Sequence, residues 1–305
     1  MKKPAMWWVG LVLGFGVLTI ATSAVFVRLC LEAAGRTGAG FSLVVAVFRL
    51  VIASLLCVPL WKGVQNSGAS RQAWKWAIAA GLCLAVHFSL WITSLSYTSI
   101  AAATTLVTTN PLWVALMLWV WQGKRPTQFT ILGILIALTG GILIAFGGDS
   151  ATPTGSLSLL GNALALMGAW SASFYLILGQ QAQQEGLGLG HYIATVYTLA
   201  ALCLFPIPFL LGVPYTGYPL DFYLYVALMA ILPQLMGHTS LNWAVRWISP
   251  TTVALAILCE PIGATWLGYV IFAEVPTPLV FGGAIILLLG VALAIWGEGK
   301  RSQNY

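Results

Sequence analysis

The sequence predicts an all-α integral membrane protein with ten transmembrane helices arranged as two inverted five-helix repeats. Two observations predict this fold: a strongly apolar composition with short polar interruptions, and an internal repeat that contains an odd number of helices. Of the 305 residues, 60% are hydrophobic and only 7% are charged, whereas an average soluble domain carries about 25% charged residues. So few charges cannot cover the surface of a water-soluble fold of this length.

Ten apolar runs of roughly 20 residues each have the length that a helix needs to cross a hydrocarbon core of about 30 Å. They cover residues 7–27, 40–60, 74–96, 100–122, 128–147, 157–178, 190–211, 224–246, 250–272 and 277–297. A membrane β-barrel would alternate apolar and polar residues, and continuous runs such as Ile285–Leu289 do not. The ten runs are therefore interpreted as transmembrane helices, the first to tenth spans.

The basic residues are distributed unevenly between the two sides of the membrane. An even number of spans places both termini on one side, together with most of the loop lysines and arginines, while Arg28 and Arg36 fall on the other side. Positive loops remain in the cytoplasm. We therefore expect a multi-pass protein of the cell inner (plasma) membrane with both termini cytoplasmic. The net charge of +6 is interpreted as a topology signal, with the lipid bilayer and no nucleic acid as partner.

The chain resembles itself at an offset of 150 residues. When 87–147 is set beside 237–297 without a gap, 11 of 61 pairs are identical. Pro111 then meets Pro261, and two glycines of the fifth span, Gly133 and Gly140, meet glycines of the tenth. Prolines and glycines that recur at a fixed offset indicate two copies of one structural unit. The predicted units are residues 1–148 and 149–305, with five helices each.

An odd number of helices per unit has a mechanical consequence. After five crossings the second unit starts on the opposite side of the membrane, so the two units are inverted relative to each other. Inverted pairs are a recurring plan of secondary transporters, which hold their solute near the bilayer midplane between the units. The repeat therefore predicts alternating access to a central cavity.

Three segments also resemble a known family. Phe48-Arg49-Leu50, Thr109-Asn110-Pro111 and Glu260-Pro261-Ile262, each with the helix that follows or contains it, are similar to segments of EamA-type domains in the drug/metabolite transporter superfamily. The resemblance covers nearly the whole chain. It implies a ten-helix transporter of small metabolites, commonly an exporter, with a cavity lined by the first, third, fourth, sixth, eighth and ninth spans.

Two ionisable residues lie near the middle of predicted spans, where charges are costly and usually functional. Glu260 directly precedes Pro261 in the ninth span, and its carboxylate can couple a proton, bind a substrate amine, or tie helices together as a structural group. Arg49 lies at similar depth in the second span. The family resemblance favours a structural, helix-anchoring role for Arg49 over recognition of a substrate carboxylate. An ion pair between Arg49 and Glu260 is compatible with their depths.

Two histidines occupy nearly equivalent positions of the repeat, one residue away from its offset. His87 shares a helical stripe with Trp91 in the third span, and His238 shares one with Asn242 in the eighth. Residues four apart lie on one face of a helix, so both stripes are candidates for a cavity wall. The alternative for each histidine is a hydrogen bond to a helix carbonyl inside a packed interface.

The remaining candidates complete a predicted solute site. Asn110 matches Glu260 at the repeat offset, and Trp170 and Tyr175 give the sixth span an aromatic and polar patch. The predicted lining comprises His87, Trp91, Asn110, Trp170, Tyr175, His238, Asn242 and Glu260. No metal and no cofactor are expected, since the cysteines have no paired spacing and the histidines have too few neighbouring ligands.

The composition and the repeat together favour a secondary transporter, and the family resemblance implies that it exports small metabolites, such as amino acids or related amphipathic solutes. A passive channel or scaffold would not need inverted halves, although it could have them. An intramembrane enzyme is the third alternative. The sequence has no Gly-x-Ser-x-Gly, no His-Glu-x-x-His and no aspartate pair at helical spacing, so we expect that the protein is not an enzyme.

Overall fold

A computed structural model of the protein describes residues 4–64, 67–98, 100–147, 156–272 and 277–303, and every regular element in these ranges is helical. The first five spans contain α1 (Met6–Ala34), α2 (Ala39–Leu56), α3 (Arg71–Ser94), α4 (Ile100–Val107), α5 (Asn110–Gln122) and α6 (Gln128–Gly147). The last five contain α7 (Ser156–Gln184), α8 (Leu189–Leu204), α9 (Pro206–Leu210), α10 (Leu220–Met229), a π-helical segment (Ala230–His238), α11 (Thr239–Ala244), α12 (Pro250–Ile257), α13 (Glu260–Phe272) and α14 (Pro278–Gln303).

Nine helical segments of the described chain are long and apolar enough to cross a membrane, and α6 adds a tenth apolar helix. Four of the ten spans are composite. α4 and α5 form the fourth, α8 and α9 the seventh, and α12 and α13 the ninth. The eighth span is composite as well, since a π-helical segment joins α10 to α11. The all-α membrane fold predicted from the sequence is confirmed.

The polarity of the bundle is inverted relative to a soluble protein. Large apolar side chains point outward, and Val120, Phe146 and Leu220 are about 80% exposed. Polar side chains such as Gln234 and Asn242 are fully buried. Lipid solvates an apolar exterior, whereas polar groups at membrane depth need partners inside the protein. The burial pattern is therefore that of a membrane bundle.

The fourth and ninth spans are broken at equivalent places. α4 ends at Val107 and α5 begins at Asn110, while α12 ends and α13 begins 150 residues further along, at Ile257 and Glu260. The second residue of each following helix is a proline, which has no N–H to bond the carbonyl four residues earlier. Irregular backbone at membrane depth is tolerated only where it is buried in protein or lines a cavity. The two breaks therefore mark the interior of the bundle.

The third and eighth spans differ, although the repeat predicts that they are equivalent. The third span is one regular helix, α3. The eighth contains nine π-helical residues with Pro233 inside them. Such segments are rare and occur frequently at functional sites. This one carries His238 and Gln234 into the centre of the protein.

The fifth and tenth spans, α6 and α14, meet along a seam of four glycines, called here the glycine seam. A Cβ added to Gly133 would lie 2.6 Å from the carbonyl oxygen of Gly290, and one added to Gly290 would lie 2.7 Å from the Gly133 oxygen. The pair Gly140 and Gly283 shows the same reciprocal contact, at 2.5 Å and 2.7 Å. Rising numbers on α6 meet falling numbers on α14, so the helices are antiparallel. Only residues without a Cβ allow two backbones to approach this closely.

The predicted boundary between the units, at residues 148 and 149, lies outside the described residues. Helices of the first predicted unit pack against helices of the second. α3 contacts α7, and α1 contacts α10, α11 and the π-helical segment. Glycines lie at both contacts, because Gly168 of α7 lies against Trp91 of α3 and Gly16 of α1 lies against Ser240 of α11. The division into two five-helix units remains a prediction.

The glycine seam can be tested with Gly290→Ala, whose new methyl group would lie 2.3 Å from the backbone nitrogen of Ala137. We expect a loss of stability of about 1–3 kcal/mol or more, because the helices must separate. Gly282→Ala is the matched control on the same helix, since nothing lies within 4 Å of its Cβ position. Thermal unfolding of detergent-purified protein should show a lower Tm for Gly290→Ala only. Equal Tm values for the two variants would contradict the close contact.

Candidate functional site

A cavity of about 50 Å³ lies at the level of the two helix breaks. Its walls come from the first, third, fourth, sixth, eighth and ninth spans, which contribute, among others, Ser23, Trp91, Asn110, Tyr175, His238 and Glu260. These are the six spans that the family resemblance implies. A volume of this size holds a few water molecules, whereas pockets for small molecules enclose about 300 Å³ or more. The cavity must therefore widen before it can hold a metabolite.

The helix breaks place Asn110 and Glu260 in the cavity wall. Each is the first residue of the helix after its break, and both are buried. The Asn110 side-chain amide donates to the carbonyl of Ala169 at 3.5 Å. The Glu260 carboxylate, in contrast, accepts no hydrogen bond from any residue that the structure describes. A carboxylate without donors at membrane depth is available to a proton or to a cationic ligand group.

Arg49 is fully buried beside the cavity and joins four spans. Its Nε donates to Gln234 Oε1 at 2.7 Å, and its Nη1 donates to Ser23 Oγ at 2.6 Å. Its guanidinium carbon lies 4.2 Å from the centre of the Phe88 ring, in cation–π geometry. Ser23 and Phe88 themselves line the cavity. Arg49 therefore lies one side chain behind the cavity wall, and these contacts fit the helix-anchoring role that the resemblance favours.

Arg49 and Glu260 do not form an ion pair. Within the described ranges, neither side chain has an oppositely charged partner inside 4 Å. The similar depths of the two residues in the sequence therefore do not translate into contact. The Arg49 Nη2 atom and the Gln234 Nε2 atom are buried, and neither has a hydrogen-bond partner among the described residues.

The third span presents His87 and Trp91 to the cavity as one stacked unit. Their rings are parallel within 2°, with centroids 6.2 Å apart. His87 Nδ1 lies 3.0 Å from the carbonyl oxygen of Gly168 in α7. Because a carbonyl can only accept, His87 carries its proton on Nδ1, and Nε2 keeps its lone pair when the ring is neutral. Both interpretations of His87 therefore apply, since it lines the cavity and bonds a helix carbonyl.

The eighth span contributes His238 directly and Asn242 indirectly. His238 lines the cavity and meets Phe88 edge to face at 5.4 Å, and its buried Nδ1 has no partner among the described residues. Asn242 lies behind the wall, where its Oδ1 accepts from the Tyr175 hydroxyl at 2.8 Å. Tyr175 itself lines the cavity. Asn242 thus positions a lining residue.

Trp170 is the one predicted lining residue that lies away from the cavity and its supporting contacts. It is 51% exposed on the outside of α7 and packs edge to face against Phe174 at 4.9 Å. The cavity face of α7 carries Ala172, Tyr175 and Leu176. Residues two positions apart point to different sides of a helix, so Trp170 and Ala172 cannot share this face.

The three residues that contact the Arg49 guanidinium, Ser23, Phe88 and Gln234, were not among the predicted lining residues. All three surround Arg49 and bring the first, third and eighth spans to it. Gln234 precedes His238 by four residues, and this spacing was the available signal. Ser23 and Phe88 have no such signal, because serine and phenylalanine are ordinary components of apolar helices.

The described part of the site has no arrangement that fits a metal ion. No group of three or more histidine, cysteine or carboxylate side chains lies close enough to hold one within the described ranges. All five cysteines are free thiols and are partly or fully buried. The chemistry at the cavity is therefore that of one carboxylate, two imidazoles, hydroxyls, an amide and aromatic rings.

Fold and cavity together define a class: a multi-pass helical membrane protein that encloses a small, sparsely charged cavity between its spans. The sequence pattern of the EamA-like transporter family matches this chain twice, over residues 6–146 and 159–296. The chain belongs to the EamA-like transporter family.

Individual relatives agree with this assignment. A protein of Streptantibioticus cattleyicolor named a probable terminal-alkyne amino-acid exporter is 26% identical over 281 residues, which cover 91% of this chain and 90% of that protein. YwfM of Bacillus subtilis, named an uncharacterized transporter, is 24% identical and covers 84% of each chain. A solved crystal structure with 17% sequence identity superposes with a TM-score of 0.73 and covers 96% of this chain and 98% of that one. That structure supports the fold alone.

The hydrogen bond between the Tyr175 hydroxyl and the Asn242 side chain can be tested with Tyr175→Phe. Removal of the hydroxyl leaves the buried Asn242 side chain without its donor, and an unsatisfied buried group costs about 1–3 kcal/mol. We expect a Tm several degrees below that of the parent protein in the same detergent. Tyr269→Phe is the control, because Tyr269 is 50% exposed. Equal Tm values for both variants would show that the Tyr175 hydroxyl contributes no stability.

Proposed function

We propose that the protein is a secondary transporter that exports small amphipathic metabolites, such as amino acids, by alternating access. One observation carries this proposal: a cavity at the level of two equivalent helix breaks exposes the carboxylate of Glu260. Discontinuous helices at the midplane form the solute sites of many secondary transporters. The name of the Streptantibioticus cattleyicolor relative, an amino-acid exporter, supports the same class of solute and the same direction.

The small size of the cavity and the repeat support alternating access. A cavity of about 50 Å³ is too small for a metabolite, so the surrounding helices must move before one can bind. The reciprocal glycine contacts of α6 and α14 are those expected of two units related by a two-fold axis in the membrane plane. Rocking of two such units about the cavity would expose it alternately to each side. A passive channel has no need of this arrangement.

The distribution of charge supports a location in the cell inner membrane with both termini in the cytoplasm. Basic residues concentrate in the loops on the side where α1 begins, as the orientation rule for short loops requires. In this orientation export moves the solute away from the side of the termini. The proposed role is transport only, with no catalytic chemistry.

The first experiment is solute uptake into proteoliposomes with a pooled panel of amino acids, nucleosides and dyes, with and without an imposed pH gradient. Saturable uptake of one class that follows the gradient is the expected result. Protein-free vesicles and vesicles with an unrelated membrane protein give the background. Movement that never saturates would favour a channel, and no movement of any solute would contradict the carrier proposal for these classes.

We assign proton coupling to Glu260, the cavity carboxylate that accepts no hydrogen bond from the described residues. For proton–solute antiport, an acidic vesicle interior drives uptake, because protons leave as solute enters. We expect Glu260→Gln to lose this gradient-driven uptake, since an amide cannot carry the proton. Glu32→Gln is the control, because Glu32 is an exposed carboxylate at the end of α1. Unchanged rate and pH dependence in Glu260→Gln would remove Glu260 from the coupling mechanism.

A tryptophan pair tests whether the cavity is the solute site. Trp91 lines the cavity, whereas Trp170 lies on the exposed face of α7. We expect Trp91→Phe to raise the KM of uptake about 5- to 10-fold, because part of the aromatic surface and the indole N–H are lost. Trp170→Phe should leave KM unchanged. An effect of Trp170→Phe alone would place the solute site elsewhere.

A further inference from the structure

The guanidinium of Arg49 is a permanent positive charge in the interior of the membrane bundle. Arginine stays protonated in proteins, and this side chain is fully buried. Within the described ranges, no carboxylate lies inside 4 Å of it. A buried charge without a partner of opposite sign is costly, most of all at membrane depth. The surroundings of Arg49 therefore favour a negative charge.

The hydrogen bonds around Arg49 also leave two donors without an acceptor. Arg49 Nε donates to Gln234 Oε1 at 2.7 Å, and Nη1 donates to Ser23 Oγ at 2.6 Å. Arg49 Nη2 and Gln234 Nε2 are buried, and neither meets an acceptor in the part of the chain that the structure describes. Only the oxygen of the Gln234 amide can accept from an arginine, so the amide cannot be turned round. Its Nε2 is therefore a donor by necessity.

These donors lie close together. Nη2 is bonded to the same guanidinium carbon as Nε, and Nε2 is bonded to the same amide carbon as Oε1. Since Nε and Oε1 are the two ends of one hydrogen bond, the two donors flank that bond. Ser23 adds a third donor, because its oxygen accepts from Arg49 and its hydroxyl hydrogen remains for another acceptor.

The donors lie at the boundary between Arg49 and the cavity. Ser23 belongs to both, since it contacts Arg49 and lines the cavity. His238, four residues after Gln234, also lines the cavity, and its buried Nδ1 has no partner among the described residues. An imidazole donates from Nδ1 when that nitrogen carries the proton. A cavity of about 50 Å³ holds water molecules or a monatomic ion but no metabolite.

We propose that Arg49, Gln234 and Ser23 bind a chloride ion at the edge of the cavity. Chloride supplies the negative charge that Arg49 lacks, and it accepts hydrogen bonds from several donors at once. A water molecule would accept from two of the donors but would leave the charge of Arg49 unbalanced. The inference goes beyond the proposed carrier function, because this ion is a resident part of the fold and not the solute.

Glu260 is the alternative source of negative charge at this depth. Its carboxylate is buried in the cavity wall and forms no contact with Arg49 within the described ranges. If Glu260 alone balanced Arg49 from a distance, the identity of the anion in the buffer would make no difference to the protein. The chloride dependence of stability separates the two arrangements.

Thermal unfolding of the detergent-purified protein tests the site. Sodium chloride replaces sodium gluconate at constant ionic strength, because gluconate is an organic anion too large for the cavity. A ligand that binds only the folded state stabilises it with the logarithm of its concentration above Kd. We expect Tm to rise by a few degrees over a roughly 100-fold range of chloride. Equal Tm values in the two salts would overturn the proposal.

Gln234→Glu is the most specific variant, because it places a carboxylate beside Arg49. One carboxylate oxygen keeps the bond from Arg49 Nε, and the other replaces the donor Nε2 with an acceptor. We expect this variant to lose the chloride dependence and to be at least as stable in gluconate as the parent protein. Gln72→Glu adds the same charge at an exposed position of α3 and should keep the parent's dependence. A chloride dependence that persists in Gln234→Glu would overturn this site.

A crystal of the parent protein grown with bromide locates the ion without any variant. Bromide has the charge of chloride and an anomalous signal that identifies it. We expect bromide within hydrogen-bond distance of Arg49 Nη2 and Gln234 Nε2, and bromide at the protein surface only would contradict the site. None of these measurements needs a transported solute. A failure of uptake in proteoliposomes would therefore contradict the carrier function and leave the chloride site standing.

Discussion

The absence of water in the hydrocarbon core is the constraint on which this structure depends. Every backbone and side-chain polar group at membrane depth must find a partner inside the protein or be placed at a cavity. The two helix breaks, at 108–109 and 258–259, would be untenable on the lipid face, and both lie where six spans enclose a cavity. The position of the cavity thus follows from the position of Pro111 and Pro261.

Arg49 illustrates the same constraint for a charge. Its guanidinium engages Gln234 of the eighth span, Ser23 of the first and the ring of Phe88 in the third, so one side chain from the second span joins four helices. Gln234 belongs to the second predicted unit and the other three residues to the first. Any movement of one unit against the other must carry this cluster along or exchange its partners. A buried arginine therefore connects helix packing to the motion that the proposed mechanism requires.

Much of the fold could be predicted from the sequence, because apolar length and repeated proline and glycine positions are direct consequences of the membrane environment. Pro111, Pro261 and the glycine seam lie where the repeat predicts them to be equivalent. Only part of the candidate site could be predicted from the sequence. Glu260, Asn110, His87, Trp91, Tyr175 and His238 line the cavity, since polar or aromatic residues at mid-span stand out against an apolar background.

Other features of the site depend on rotation about a helix axis, which composition does not determine. Trp170 looked equivalent to Trp91 as an aromatic residue at depth, yet it lies on the outer face of α7. The lateral separation of Arg49 and Glu260 could not be predicted from the sequence either. Two residues at equal depth in the membrane can lie on the same side of the helix bundle or on opposite sides. Gln234 reaches Arg49 from a π-helical segment, whose turn differs from that of an ordinary helix.

That π-helical segment has a consequence for the energetics of the transport cycle. For a carrier whose halves exchange shapes, perfect structural symmetry would make the two end states equal in energy. The eighth span carries a nine-residue π-helical segment with an internal proline, and the third span is a regular helix throughout its length. The two spans are therefore not interchangeable, and under the proposed mechanism the states that open to opposite sides would differ in energy and in occupancy. Such a bias could not set the direction of net flux, which the solute and ion gradients determine, but it would determine which side of the membrane the unloaded carrier faces for most of the time.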